Sequence, residues 1–438
     1  MMSWAARFRL RQYAKASLWI VPLFGLVLGV ALAEAATAAD GASWLPKTWD
    51  YSATTASTVL SSVVGSMIAL LGFVVTIGVL VIQQATGTLS PRYMRLWYRD
   101  RLQKAVLATF TGTFAFAYTL LRSIETDSVP NLGVTLAGVA VSVSLLLLLI
   151  YLNRFTHNLR PVAIADIVGR QGEQVLGHAA AHVRSAAAPG GAPLPGDPVA
   201  LVRTERGGVI QAFDAPGMLS LATRHDCVLV LAASVGDFVP PGGTIVEVHG
   251  GPTAPARDRV AGLLALGAER TIEQDPAFAL RILVDIAIRA LSPAVNDPTT
   301  AVQVLNHIET FLHVVGRVGL RDHYVLADGH GRPRLVVPGR SWEEYLELAV
   351  TEIRDYGATS VQVCRRLRAL LKGLLVALPD ECGPALRAEL VLLDDAVERG
   401  FGDAPRRADA RTADPQGIGG RRSRGTTREP PAPDETAP

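Results

Sequence analysis

Cysteine is nearly absent. Cys227, Cys364 and Cys382 are the only three in 438 residues. They are scattered, and no Cys-x-x-Cys pair exists, which excludes a disulfide framework and a thiolate zinc site. Lysine is almost as scarce, with Lys15, Lys47, Lys104 and Lys372 forming the whole set; arginine carries nearly all the basic charge. The formal net charge is only +2, so nothing global argues for nucleic acid. No Gly-x-Ser-x-Gly elbow, P-loop or His-Glu-x-x-His helix occurs, which removes the motif-borne hydrolases, NTPases and zinc proteases. A further absence says most: four long apolar runs carry no Asp, Glu, Lys, Arg or His near their centres.

Those runs occupy about residues 17–34, 59–83, 105–121 and 132–152. A membrane helix needs roughly 20 apolar residues, so the sequence predicts a four-span α-helical membrane domain over residues 1–159. The first run has a rival reading. Basic residues precede it and Ala33-Glu34-Ala35 follows it, as in a cleavable signal peptide. Arginine and lysine set the direction. Arg7, Arg9, Arg11, Lys15, the Arg92–Lys104 connector, Arg154 and Arg160 mark one side, and only Lys47 and Arg122 mark the other. The positive-inside rule then makes both termini cytoplasmic in a multi-pass protein.

Ion-coupled transporters and voltage sensors place charges at membrane depth; their lack here disfavours both and leaves a passive pore open. Small residues recur every four positions, as Ser61, Gly65 and Ala69, and as Thr109, Thr113 and Ala117. That spacing lets helices approach closely, within one subunit or in a homo-oligomer. Between the second and third runs, Pro91, Arg92, Arg95, Trp97 and Arg99 suggest a short amphipathic helix at the lipid interface. The plainer reading is a positive-inside anchor.

The rest of the chain reads as an α+β cytoplasmic part: a helix and flexible link over 160–200, a small β module over 201–252, a mainly helical domain over 258–400, and a disordered tail over 401–438. His178 and His182 share a helix face, yet without a third ligand they do not make a metal site. In the β module, Gly236-Asp237-x-Val239-x-x-Gly242-x-x-Ile245 is similar to the closing hairpin of biotinyl and lipoyl barrel-sandwich domains. The carrier role implied there needs a hairpin lysine, and this segment has none. Nothing in the sequence calls for a cofactor or a metal.

The densest constellation follows. Asp275-Pro276 caps and opens a helix through Leu291, on which Arg281, Asp285 and Arg289 recur every four residues as an ion-pair ladder. Ser292 and Pro293 then break it, and Asn296, Asp297, Pro298, Thr299 and Thr300 start the next helix. This polar corner either satisfies its own backbone or faces a ligand or a neighbouring subunit. Farther on, the sequence predicts a hairpin around Asp328-Gly329, a capping box at Ser341 and Glu344, and helices over Thr359–Ala377 and Pro384–Arg399.

The segment from Ala290 through Asn296-Asp297-Pro298 to Ala301 resembles the hallmark of a bacterial family of predicted membrane proteins, domain of unknown function twenty-two fifty-four. Gln83 through Pro91-Arg92 with Arg99-Asp100, and Arg270-Thr271-Ile272-Glu273-Gln274-Asp275-Pro276, are similar to it as well. The resemblance covers about Trp19 to Arg399. It implies a four-span protein of a bacterial plasma membrane with a cytosolic domain, and no activity. Three classes stay open: an oligomeric pore controlled by the cytoplasmic domain, a membrane-anchored scaffold or sensor of an unknown small ligand, and a membrane-bound enzyme. Beyond the lipid bilayer, no partner is specified.

Overall fold

The computed structural model describes residues 2–40, 51–88, 99–125, 128–158, 160–186 and 196–417. Four of its helices are long and apolar enough to cross a bilayer: Ile20–Ala39, Ala53–Gln83, Arg101–Arg122 and Asn131–Arg154. They lie in α2 (Ile20–Ala39), α3 (Ala53–Thr88), α4 (Arg101–Arg122) and α5 (Asn131–Asn158), preceded by a short helix α1 (Trp4–Ala16). Asp100 starts α4 by accepting the Leu102 N–H at 2.7 Å. Asp40 accepts the Asn131 and Leu132 N–H groups at 3.1 and 3.0 Å and so caps α5.

Close backbone approach holds α2 against α4. A Cβ on Gly25 would lie 2.3 Å from the Ala108 carbonyl oxygen, and one on Gly29 2.2 Å from that of Gly112. Only glycine permits that distance. Thr113 and Ala117 are buried in the same block, and the Thr113 hydroxyl lies 3.3 Å from that of Ser144. Gly29→Val is expected to push α2 off α4 and to destabilise the protein by about 1–3 kcal/mol or more. Thermal melting in detergent reads this, with Gly138→Ala as the control, since a Cβ there meets nothing.

Helix α6 (Pro161–Ala186) leads away from α5 and packs on α9 (Pro276–Ala290) and α10 (Pro298–Val318). The crossing is tight at Gly172, where a Cβ would meet Ala279 and Phe311. Helices α11 (Trp342–Gly357), α12 (Val361–Ala377) and α13 (Gly383–Gly400) complete one helical core around α9. Leu280, Ile282, Leu283 and Ile286 of α9 are all buried, and each such side chain contributes roughly 1.5–3 kcal/mol. Both the Ser341–Glu344 capping box and the Asp275-Pro276 helix start are present.

The β region corrects the expectation of a barrel-sandwich module, because among the described residues it forms two open sheets and no barrel. Five strands pair in the order β1 (Ala200–Arg203), β5 (Thr244–His249), β3 (Val228–Leu231), β8 (Pro333–Pro338), β7 (His323–Ala327). Three more form β4 (Phe238–Val239), β2 (Gly208–Phe213), β6 (Leu264–Gly267). The expected closing hairpin therefore splits, β4 joining one sheet and β5 the other. The free edge of β3 is taken by β8, which pairs with it in parallel, Leu229 opposite Leu335. The glycine turns do form, with Gly236 at φ +99 and Gly242 at φ +78. Helices α7 (Ala215–His225) and α8 (Arg257–Ala261) flank the sheets.

Of the expected disordered tail, residues 418–438 lie outside the described residues. Residues 401–417 are folded: Phe401 is buried, and α14 (Ala404–Ala410) follows it and ends on the buried Ala410. The buried arginines of α12 draw this polar segment in. Arg365 donates to the Thr412 carbonyl at 3.2 Å and pairs with the buried Asp414 at 3.8 Å.

Candidate functional site

The polar corner sits at the far end of α9. Leu291 closes the helix, and the Ser292 hydroxyl donates to the Arg289 carbonyl at 2.7 Å. The Asn296 N–H donates to the Ser292 carbonyl at 2.8 Å, and the Asp297 N–H to that of Ala290 at 2.7 Å. Asp297 caps α10, accepting the Thr300 N–H at 3.0 Å and its hydroxyl at 2.5 Å. Ser292, Asp297 and Thr300 thus serve the local backbone. Asn296 takes the left-handed conformation at φ +48, which asparagine tolerates better than most residues. Pro293, Asn296 and Thr299 are exposed and Pro298 half-buried.

Two of the residues grouped with the corner by sequence lie elsewhere. Arg281 donates to Asp285 at 2.7 Å and makes a bidentate pair with Glu352 of α11, deep along α9. That Glu352 bond, ahead of the opposing burial and the Asp285 charge, raises the Arg281 pKa beyond its ordinary value. Arg289, in the last turn of α9, is the ladder member beside the corner.

The other end of α9 meets the membrane block. Arg99 donates to Glu273 at 2.9 Å and to Gln12 of α1, while Lys15 pairs with Glu273 at 3.3 Å. Burial works to raise the Glu273 pKa, but the Gln12 hydrogen bond and the Lys15 and Arg99 charges together carry it below the usual carboxylate range. Lys104, heading α4, donates to the Lys15 carbonyl at 2.6 Å. Arg154, ending the α5 span, pairs with Asp100 at 3.5 Å.

The strip between β6 and α9 faces both ways. Gln274 clamps Phe213 of β2, accepting its N–H at 3.0 Å and donating to its carbonyl at 3.1 Å. Asp275, 3% exposed, caps α9 by accepting the Phe278 N–H at 3.1 Å. Its second oxygen lies 3.4 Å from Arg270 Nε but has no hydrogen bond, because that N–H donates to the Gly236 carbonyl at 2.7 Å. Burial pushes the Asp275 carboxyl up to about 6, against the pull of Arg270, the Phe278 N–H and Arg340, and Asp237 adds to the rise. Gly236 is obligatory here, since a Cβ would sit 2.3 Å from the Asp275 carboxylate. One strip thus joins α1 and the start of α4 through Glu273 to α9 through Asp275.

Sequence reasoning singled out Arg99 and the Asp275 cap but missed Glu273, Gln12, Lys15 and Gly236 as one cluster. The signal at hand was that Arg99-Asp100 and Arg270–Pro276 both carry the family resemblance; the structure joins them. Pro91, Arg92, Arg95 and Trp97 lie outside the described residues, as does the side chain of His182. Among the described residues, no three His, Cys, Asp or Glu side chains are placed to hold a metal ion.

The model of the family described as Predicted membrane protein (DUF2254) matches residues 15–373. An uncharacterized protein of Mycobacterium bovis is 30% identical over 419 residues, covering 90% of this chain and 79% of the relative. An uncharacterized protein of Mycobacterium tuberculosis strain H37Rv is similar to the same extent. No solved structure matches.

Proposed function

This chain belongs to the DUF2254 family of predicted membrane proteins, and on that premise we propose that it forms a homo-oligomeric pore controlled by its soluble region. The carrying observation is a face of α3 that none of the other described residues covers. Thr58, Ser62, Gly65, Ala69, Gly72 and Thr76 recur at helical spacing and are all exposed. A Cβ on Gly65 or Gly72 would meet nothing. The outward faces of α2 and α5 are different in kind, carrying Leu23, Phe24, Val27, Leu145, Leu146 and Leu149 as lipid-facing helices do. A small, hydroxyl-bearing stripe suits a seam between subunits or the wall of a pore.

The strip from Arg270 to Asp275 supplies the control. The corner at the far end of α9, which holds the exposed Asn296 and Thr299, is the place for a ligand or a neighbouring subunit. In this reading the soluble region is cytoplasmic. The contact of α1 with the turn leading into β6, where the Ala5 N–H donates to the Gly262 carbonyl at 2.9 Å, supports a shared side for α1 and that region. Packing of α2 on α4 supports retention of the first span.

Conductance of the purified full-length protein in planar bilayers tests the proposal. Ion flux is expected for the wild type, and Gly65→Leu is expected to abolish the flux or change the subunit count. Silence under voltage, tension and varied ions, together with a monomer by light scattering, rejects the pore. That outcome leaves the second reading, a membrane-anchored sensor that binds through the exposed corner.

A further inference from the structure

We propose that α1 is an interfacial helix whose outer face binds anionic phospholipid headgroups. Unlike the connector between the second and third spans, α1 was not marked as amphipathic by its sequence pattern; its two faces emerge from what it packs against. Its inner face is occupied: Ala5 is buried, Trp4 and Phe8 stack with ring centroids 5.3 Å apart, and Gln12 and Lys15 join Arg99 at Glu273. Among the described residues nothing covers the opposite face. With 3.6 residues per turn, Ala6, Leu10 and Tyr13 fall on one strip there, Leu10 and Tyr13 each 57% exposed. Arg9 borders that strip on one side, and Arg7 and Arg11 on the other; all three are exposed. An apolar strip flanked by arginines is the form that settles into a headgroup layer.

Two observations bring α1 to the bilayer. Only Ser17, Leu18 and Trp19 separate it from α2, a reach of about 10 Å at full extension. Lys104, at the head of another span, holds the carbonyl of Lys15. These contacts hold α1 beside the ends of two candidate spans. Charge selects the lipid. No acidic residue precedes Glu34, so nothing on α1 neutralises Arg7, Arg9 and Arg11, and phosphatidylglycerol-like headgroups complement them. Because the inner face grips Glu273, the helix joins the leaflet to the strip that leads into α9. The proposal does not depend on conduction.

The test uses the full-length protein in bilayers containing trace spin-labelled phosphatidylglycerol or phosphatidylcholine, with the association preference read by electron spin resonance. Each arginine near the surface contributes about fivefold. The triple variant Arg7→Gln, Arg9→Gln, Arg11→Gln is therefore expected to lose more than tenfold of the wild-type preference for the anionic lipid. The matching triple lysine variant, which keeps the charge, is expected to retain it and so excludes a folding defect as the cause. A preference changed less than twofold by the glutamine variant overturns the proposal. So does a glutamine variant that falls to a lower subunit count, because the face would then mate with a second copy rather than with lipid.

Discussion

Arg281→Met is expected to destabilise the helical core around α9 by about 3–5 kcal/mol. The Arg281 guanidinium is the shared partner of Asp285 on its own helix and Glu352 on α11. Removing it takes the Arg281 hydrogen bond and charge from the Asp285 carboxylate, whose side chain is only 8% exposed. Glu352 is 42% exposed and can turn to water, so Asp285 carries most of the cost. Denaturant unfolding of the full-length protein in detergent measures the loss. The double variant Arg281→Met, Asp285→Leu should recover most of it, since a buried pair replaced whole by apolar groups is often nearly neutral. A loss below about 1 kcal/mol in the single variant would mean the cluster behaves as a screened surface pair.

The second large effect is a pH dependence at Asp275. Burial raises this carboxyl to about 6 from an ordinary 3.8. The sign follows from proton counting. Below about pH 4 both folded and unfolded chains hold the proton; between about 4 and 6 only the folded chain keeps it. The Asp275 contribution therefore falls as pH rises through that window and stays low above it, by about 3 kcal/mol in all. Asp275→Asn keeps an N-cap, because asparagine caps as well as aspartate, and removes the charge. Melting curves at pH 5 and 7.5 should differ less for the variant than for the wild type, and the variant should melt higher at pH 7.5. An unchanged pH response would show that Asp275 stays ionised in the fold. The same variant bears on the pore reading, since Asp275 stands at the junction of the strip and α9.

Much of the architecture is legible from short stretches. The cap at Asp275-Pro276, the corner at Asp297-Pro298 and the box at Ser341 and Glu344 each close within three or four residues, so their hydrogen bonds are written locally. Of the candidate site, the corner was legible and the joint was not. Arg99 and Glu273 stand 174 positions apart, and neither has a neighbour in sequence that marks the other. The barrel expectation failed for a related reason. The Gly236 and Gly242 turns were read correctly, yet β3 takes β8 from more than a hundred residues downstream as its neighbour. Phe401 is the one large apolar residue in a polar segment, and the arginines of α12 show why that segment packs.

Membership of the membrane and the number of candidate spans were determined by sequence alone, because hydropathy over about 20 residues is a local property that the bilayer reads directly. Helix starts were determined the same way, because a cap reaches only one turn. Tertiary structure decided which small residues are used. Gly25 and Gly29 meet the backbone of α4, while Gly65 and Gly72 remain open on α3. It also decided that Glu273 is held by Lys15 of α1 and by Arg99, and that Asp275 is held by the Phe278 N–H beside Arg270. Both outcomes depend on which distant groups arrive within a few ångströms, and spacing along the chain does not encode that.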